Sequence, residues 1–143
     1  MKFDNYMILE FPSKSCNEAF ARSAVSCFAA QMDPTIEEIG DIRTAVSEAV
    51  TNAIVHGYPD GLGLITMRCR ILKDHVLDIV IKDRGVGIAD VEQARKPMFT
   101  TGGCDRSGMG FTIMESFMTD VRITSEEGKG TTVHMRRKLQ RKK

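Results

Sequence analysis

Apolar and polar positions alternate loosely over residues 2–11. Phe3, Met7, Leu9 and Phe11 stand against Lys2, Asp4 and Glu10, which predicts an opening strand ended by Pro12. The period then lengthens. Phe20, Ala24, Cys27, Phe28 and Ala30 recur at three to four residues, a helix that Ser15 or Asn17 can cap and that runs to about Gln31. Asp33-Pro34-Thr35 breaks the chain, and Thr35 with Glu38 forms a capping-box pattern. From there Ile39, Ile42, Val46, Ala49, Val50, Ala53 and Ile54 share one face. They predict a long helix of about 35–56 ended at His56-Gly57.

Tyr58-Pro59-Asp60-Gly61-Leu62-Gly63 reads as a turn. Leu64–Leu72 and Val76–Lys82 are β-branched and partly alternating, and Lys73-Asp74-His75 joins them into an antiparallel hairpin. Asp83-Arg84-Gly85-Val86-Gly87-Ile88 ends the second strand. Residues 90–96 suit a short helical piece. Pro97–Gly108 is glycine-bearing and lacks apolar periodicity, which makes it a candidate mobile loop. Met109–Phe117 has helical spacing, and Val121–Ser125 and Thr131–Met135 form strands around a Glu126–Gly130 turn. The expected fold is α+β: a two-layer sandwich of one mixed, mainly antiparallel sheet, with about three helices on one face and the other face open.

Composition narrows the class. With 143 residues, 42% apolar and 27% charged, the chain supports one folded domain, taken as 1–137. Six of the 20 basic residues fall in 136–143, leaving 14 against 19 acidic residues before them. That balance disfavours a nucleic-acid binder and marks 138–143 as a solvated basic tail. No apolar run is long enough to span a membrane. The first residues lack the basic flank and apolar run of a signal peptide, so a cytoplasmic protein is expected. The spacing of Cys16, Cys27, Cys69 and Cys104 matches no compact metal pattern, and the three histidines lie in unrelated contexts. Reduced thiols are expected.

Three glycine-bearing or polar elements can carry chemistry. Glu48 and Asn52 lie one helical turn apart within an otherwise apolar stretch. A neutral amide oxygen suits a hard cation, and a carboxylate can take a proton or hold a water. The same spacing also fits an exposed polar stripe. His56 extends the line by a turn and reads as a cap or packing residue. Asp83-x-Gly85-x-Gly87 follows an apolar strand. Its glycines admit close backbone approach, and its carboxylate can accept from an exocyclic amine; an ordinary strand-ending turn fits equally. Arg106-Ser107-Gly108-Met109-Gly110 leads into a helix, where freed amides and a guanidinium favour phosphate, though a glycine hinge has the same composition. Gly128-Lys129-Gly130-Thr131-Thr132 reads alone as a hairpin turn. No dinucleotide fingerprint or P-loop is present.

In this order the elements resemble the ATP-binding fold shared by gyrase, Hsp90, sensor histidine kinases and the mismatch-repair ATPase. Glu48-x-x-x-Asn52 looks like its N-box, Asp83–Gly87 like its first glycine box, Arg106–Gly110 like its second, and Gly130-Thr131-Thr132 like its closing segment. The stretches from Ser47 to Tyr58 and from Arg106 to Glu115 are similar to the anti-sigma-F factors of spore-forming bacteria. The resemblance covers about residues 3–137.

The resemblance implies ATP and Mg2+, with Asn52 as the metal ligand and Glu48 as general base toward a serine. Asp83 would receive the adenine amine, aided by Thr132, with Gly85 and Gly87 beside the base. Thr101, Ser107, Gly108, Met109 and Gly110 would cradle the phosphates, with Arg106 on the terminal one. It further implies a homodimer that binds sporulation sigma-F factor, and an anti-anti-sigma factor as phosphorylation substrate; the opening strand and first helix are the surface left outside the nucleotide motifs, which makes Arg22 a candidate partner contact, though a solvated arginine on an amphipathic helix fits as well. A regulator using nucleotide only as a structural ligand is the alternative reading. A histidine kinase is disfavoured because no dimerisation helix with a phosphoacceptor histidine precedes the domain.

Overall fold

The computed structural model describes residues 3–91 and 110–140. The chain runs β1 (Phe3–Pro12), α1 (Cys16–Ala29), α2 (Ile36–Asn52), β2 (Leu64–Leu72), β3 (Val76–Asp83), α3 (Gly110–Phe117), β4 (Asp120–Glu126) and β5 (Gly130–Lys138). The sheet order is β1-β2-β3-β5-β4. Each neighbouring pair is antiparallel, so the mixed character expected of the sheet is absent among the described strands.

Alternation divides the sheet into two faces. Ile65, Met67 and Cys69 of β2, Leu77, Ile79 and Ile81 of β3, and Val133 and Met135 of β5 are buried toward the helices. There they join Val25, Phe28, Ile42, Val46, Val50 and Met114 in one core. α2 packs against both α1 and α3, so it is the central helix of the layer.

Helix starts follow local chemistry. At α2 the Thr35 side chain accepts from the Glu38 amide at 3.0 Å, and Glu38 accepts from the Thr35 amide at 2.9 Å. This reciprocal pair is the expected capping box. At α1, Ser15 stands at the cap position without a side-chain bond, and Asn17 donates instead to the Pro12 carbonyl at 2.9 Å. The helix expected to reach residue 56 is α-helical only to Asn52. It continues as a π-helical turn over Ala53–Gly57.

The outer sheet face, expected to be open, is roofed by long side chains. Asp78 is fully buried there, at 0% exposure. Its Oδ2 accepts from Arg70 Nε at 3.1 Å and Nη2 at 3.0 Å, and its Oδ1 from Arg136 Nε at 2.8 Å, with His134 against the same oxygen. Burial alone would raise this carboxyl, but the bonds from His134, Arg136 and Arg70 together hold it below the usual range.

Residues 139 and 140, placed in the expected tail, make contacts with the fold. Leu139 is buried, its amide donates to the His75 carbonyl at 2.9 Å, and the Gln140 amide donates to Glu38 Oε2 at 2.8 Å. Arg137 pairs with Asp41 at 2.8 Å and also donates to the Phe117 carbonyl, joining β5 to α2 and to the end of α3. Arg136 and Arg137 are therefore engaged within the fold. Residues 141–143 of the expected tail lie outside the described residues.

Candidate active site

A cavity of about 870 Å³ opens between the end of α2, the loop after β3 and the start of β5. Asn52, Asp83, Gly85 and Gly87 all line it, with Ala53, Ile81, Phe111 and Val133 as apolar wall. Its size and its mixture of apolar wall with few polar groups suit a nucleotide-sized ligand.

The α-helical spacing of α2 brings Glu48 and Asn52 to one face, both half-buried. The first residue of α3 meets them there. A Cβ at Gly110 would lie 3.0 Å from Asn52 Nδ2 and 3.3 Å from both Asn52 Oδ1 and Glu48 Oε2. Three residues from two distant motifs thus converge on one spot, and the absent side chain keeps it accessible.

Asp83 closes β3 and is 5% exposed. Its Oδ1 accepts from the Gly85 amide at 2.9 Å. Burial pushes its carboxyl up, against opposing backbone hydrogen bonds from Gly85 and Thr131. A buried carboxylate with acceptor capacity beside an apolar cavity suits an amine-bearing flat ligand.

The glycines of this loop have an internal reason as well. A Cβ at Gly85 would overlap the Gly57 carbonyl oxygen, which accepts from the Val86 amide at 2.9 Å. Gly87 has φ +76° and packs on the Glu126 carbonyl. The π turn can sit this close to the loop only without a side chain at Gly85, and the end of β4 only without one at Gly87.

Thr132 is absent from the cavity lining. It pairs with Lys82, whereas Thr131 pairs with Asp83. Strand alternation puts Thr132 on the outer face and Thr131 on the cavity side, where its hydroxyl lies 2.8 Å from Ser125 Oγ. Ser125 Oγ also accepts from the Ile88 amide at 2.7 Å, so β4 helps to fix the loop. Counting alternate positions back along β5 from the buried Val133 would have selected Thr131. Tyr58, a turn residue by sequence, also lines the cavity.

Thr101, Arg106, Ser107, Gly108 and Met109 lie outside the described residues, as does the segment expected to form a mobile loop. Arg22 lies on α1, away from the cavity lining, with its Nε 3.4 Å from Glu18 Oε2. Among the described residues no group of three or more His, Cys, Asp or Glu is arranged to hold a metal ion. A cation ligated mainly by phosphate and water needs no such group; one amide oxygen such as that of Asn52, beside a carboxylate, fits Mg2+ chemistry.

Residues 11–137 match the family described as the histidine kinase-like ATPase domain. An anti-sigma F factor of Caldanaerobacter subterraneus subsp. tengcongensis is 55% identical over 136 residues, 94% of each chain. One from Clostridium acetobutylicum is 50% identical over 137 residues, 95% of each chain. The crystal structure of the RsbU and RsbW domains of Rv1364c from Mycobacterium tuberculosis superposes with a TM-score of 0.71. It is 20% identical, over 97% of this chain and 34% of that one, a likeness of fold.

Proposed function

This chain belongs to the histidine kinase-like ATPase family and, within it, to the anti-sigma F factors; from that premise we propose how it works as an ATP-dependent protein-serine kinase. It binds and inhibits the sporulation sigma-F factor and phosphorylates an anti-anti-sigma factor. The observation that carries the mechanism is the convergence of Glu48 and Gly110 on Asn52, which itself lines the cavity whose wall also holds Asp83.

Asp83 accepts from the adenine amine, and the apolar wall takes the faces of the base. Thr131, rather than Thr132, supports that carboxylate. Asn52 offers its amide oxygen to Mg2+, which when bound neutralises phosphate charge during transfer. Gly110 leaves room for phosphate beside these side chains. The roles of Thr101, Arg106, Ser107, Gly108 and Met109 as the remaining phosphate contacts rest on the family resemblance.

Glu48 is placed to receive the proton of the attacking serine. A serine hydroxyl does not ionise near neutral pH, so proton acceptance must accompany phosphoryl transfer rather than precede it. The proposed working form is a cytoplasmic homodimer that touches no nucleic acid directly, with Arg22 on α1 as a partner contact. Among the described residues no helix is long and apolar enough to cross a membrane.

Incubating the chain with ATP, Mg2+ and a cognate anti-anti-sigma protein tests the reading. Phosphoserine on that protein is expected. ATP binding without any phosphoserine would replace the kinase by a regulator that uses nucleotide as a structural ligand.

A further inference from the structure

Tyr58 follows the π turn, and its phenol ring packs so closely on Gly63 that a Cβ there would overlap it. Its hydroxyl donates to the Leu64 carbonyl at 2.7 Å and accepts from the Arg84 amide at 2.7 Å. One side chain thus ties the end of the turn to the start of β2 and to the residue directly after Asp83. The next tie is backbone only: the Val86 amide donates to the Gly57 carbonyl at 2.9 Å. Residues 57 and 58 therefore hold residues 86 and 84, on either side of Gly85. Gly85 in turn donates to the Asp83 carboxylate.

We propose that Tyr58 is a positioning residue for base recognition: its hydroxyl fixes the Arg84 amide and, through the Asp83–Gly85 bond, sets the aim of the Asp83 carboxylate into the cavity. The inference rests on the reading of Asp83 as the adenine acceptor. A tyrosine kept only for packing would need the ring and not the hydroxyl, because the ring already fills the space over Gly63. Both polar functions of the hydroxyl are used instead, as donor to the start of β2 and acceptor from the loop after β3. Discrimination of a flat base by a single carboxylate depends on its orientation to within a few tenths of an ångström, so a loosened loop costs selectivity before it costs stability.

The test compares Tyr58→Phe, Asp83→Asn and the parent chain in three measurements: ATP, ADP and GTP affinity, the KM–kcat split for ATP, and exchange of the Arg84 amide. Tyr58→Phe keeps the ring and should weaken ATP and ADP by the same factor, about three- to tenfold, the worth of the Arg84 amide bond, the one of the two lost bonds that reaches the Asp83 loop. GTP affinity should change less, so adenine preference narrows. KM should carry the effect while kcat at saturating ATP holds, and the Arg84 amide should exchange faster. If Asp83→Asn removes adenine preference but Tyr58→Phe matches the parent in affinity and preference, the inference alone falls. A fall in melting temperature with unchanged nucleotide preference would likewise make Tyr58 a packing residue. If Asp83→Asn leaves adenine preference intact, the base reading falls and takes this inference with it.

Discussion

Gly110 at the start of α3 lies directly against Asn52 at the end of α2, so that a Cβ at position 110 would stand 3.0 Å from the Asn52 amide nitrogen. Position 110 is therefore a steric gate on the proposed metal ligand. Gly110→Ala should turn the Asn52 amide and lower ATP affinity in Mg2+ about tenfold or more, as loss of a contact to a charged group does. Asn52→Ala should lose at least as much. Titration with and without Mg2+ decides; a Gly110→Ala chain that binds like the parent would show that the amide has room to spare.

Glu48 shares that spot but is assigned to proton transfer. Glu48→Gln keeps the size and removes the basicity. Phosphoryl transfer to the anti-anti-sigma protein should fall by about 10²–10⁴-fold, while ATP affinity stays within about threefold. Near-normal transfer would remove Glu48 from the base role.

The register of β5 against β3 separates two adjacent threonines. Thr131→Val removes the hydroxyl bound to Ser125 on the cavity side and should weaken ATP severalfold. Thr132→Val, on the outer face, should bind ATP as the parent does. Equal effects from both would mean that the outer face communicates with the cavity.

Asp78 should set part of the acid stability. Its carboxyl is held low in the fold, so its contribution is complete above the unfolded value of about 4 and is lost as pH falls through the depressed folded value. Asp78→Ala leaves Arg70 and Arg136 without their shared acceptor. The cost should be about 3 kcal/mol near neutrality, the low end for a broken buried pair because both arginines are partly exposed. Denaturant unfolding from pH 7 to pH 3 should show the gap between parent and variant shrinking on acidification. A gap that stays constant would contradict the linkage.

Arg22 is the partner contact that carries its own rival, because Glu18 already pairs with it. Arg22→Glu should weaken sigma-F binding about tenfold or more, with ATP affinity within about twofold, since charge is reversed at a directed contact. Removing 141–143, beyond the packed Gln140, should give a smaller effect that fades with salt. The opposite ranking would make the basic end the partner site.

Much of this molecule was legible in its sequence because the signals for it are local. Thr35 and Glu38 are three residues apart, so a capping box needs no tertiary information. The alternation in β2 and β3 gives both strands and the face that is buried. Glu48 and Asn52 share a face because any α-helix puts i and i+4 together, and the resemblance supplied their chemistry. Other features depend on contacts between segments far apart in the chain. The π turn after Asn52 is not written in helical periodicity; in the fold its Gly57 carbonyl reaches the Val86 amide. Thr131 rather than Thr132 beside Asp83 depends on strand register, which a one-residue slip would invert. Asp78 looks like one more polar residue in a strand until Arg70, Arg136 and His134 arrive from β2 and β5. Tyr58 looks like a turn residue until its hydroxyl meets Arg84. Sequence determined the elements and the candidate chemistry, because propensity, capping and periodicity act within a few residues. Only the tertiary structure decided which side chains aim at the cavity, because register and hydrogen-bond partners are set by residues 26 and 56 positions apart, as at Tyr58–Arg84 and Asp78–His134.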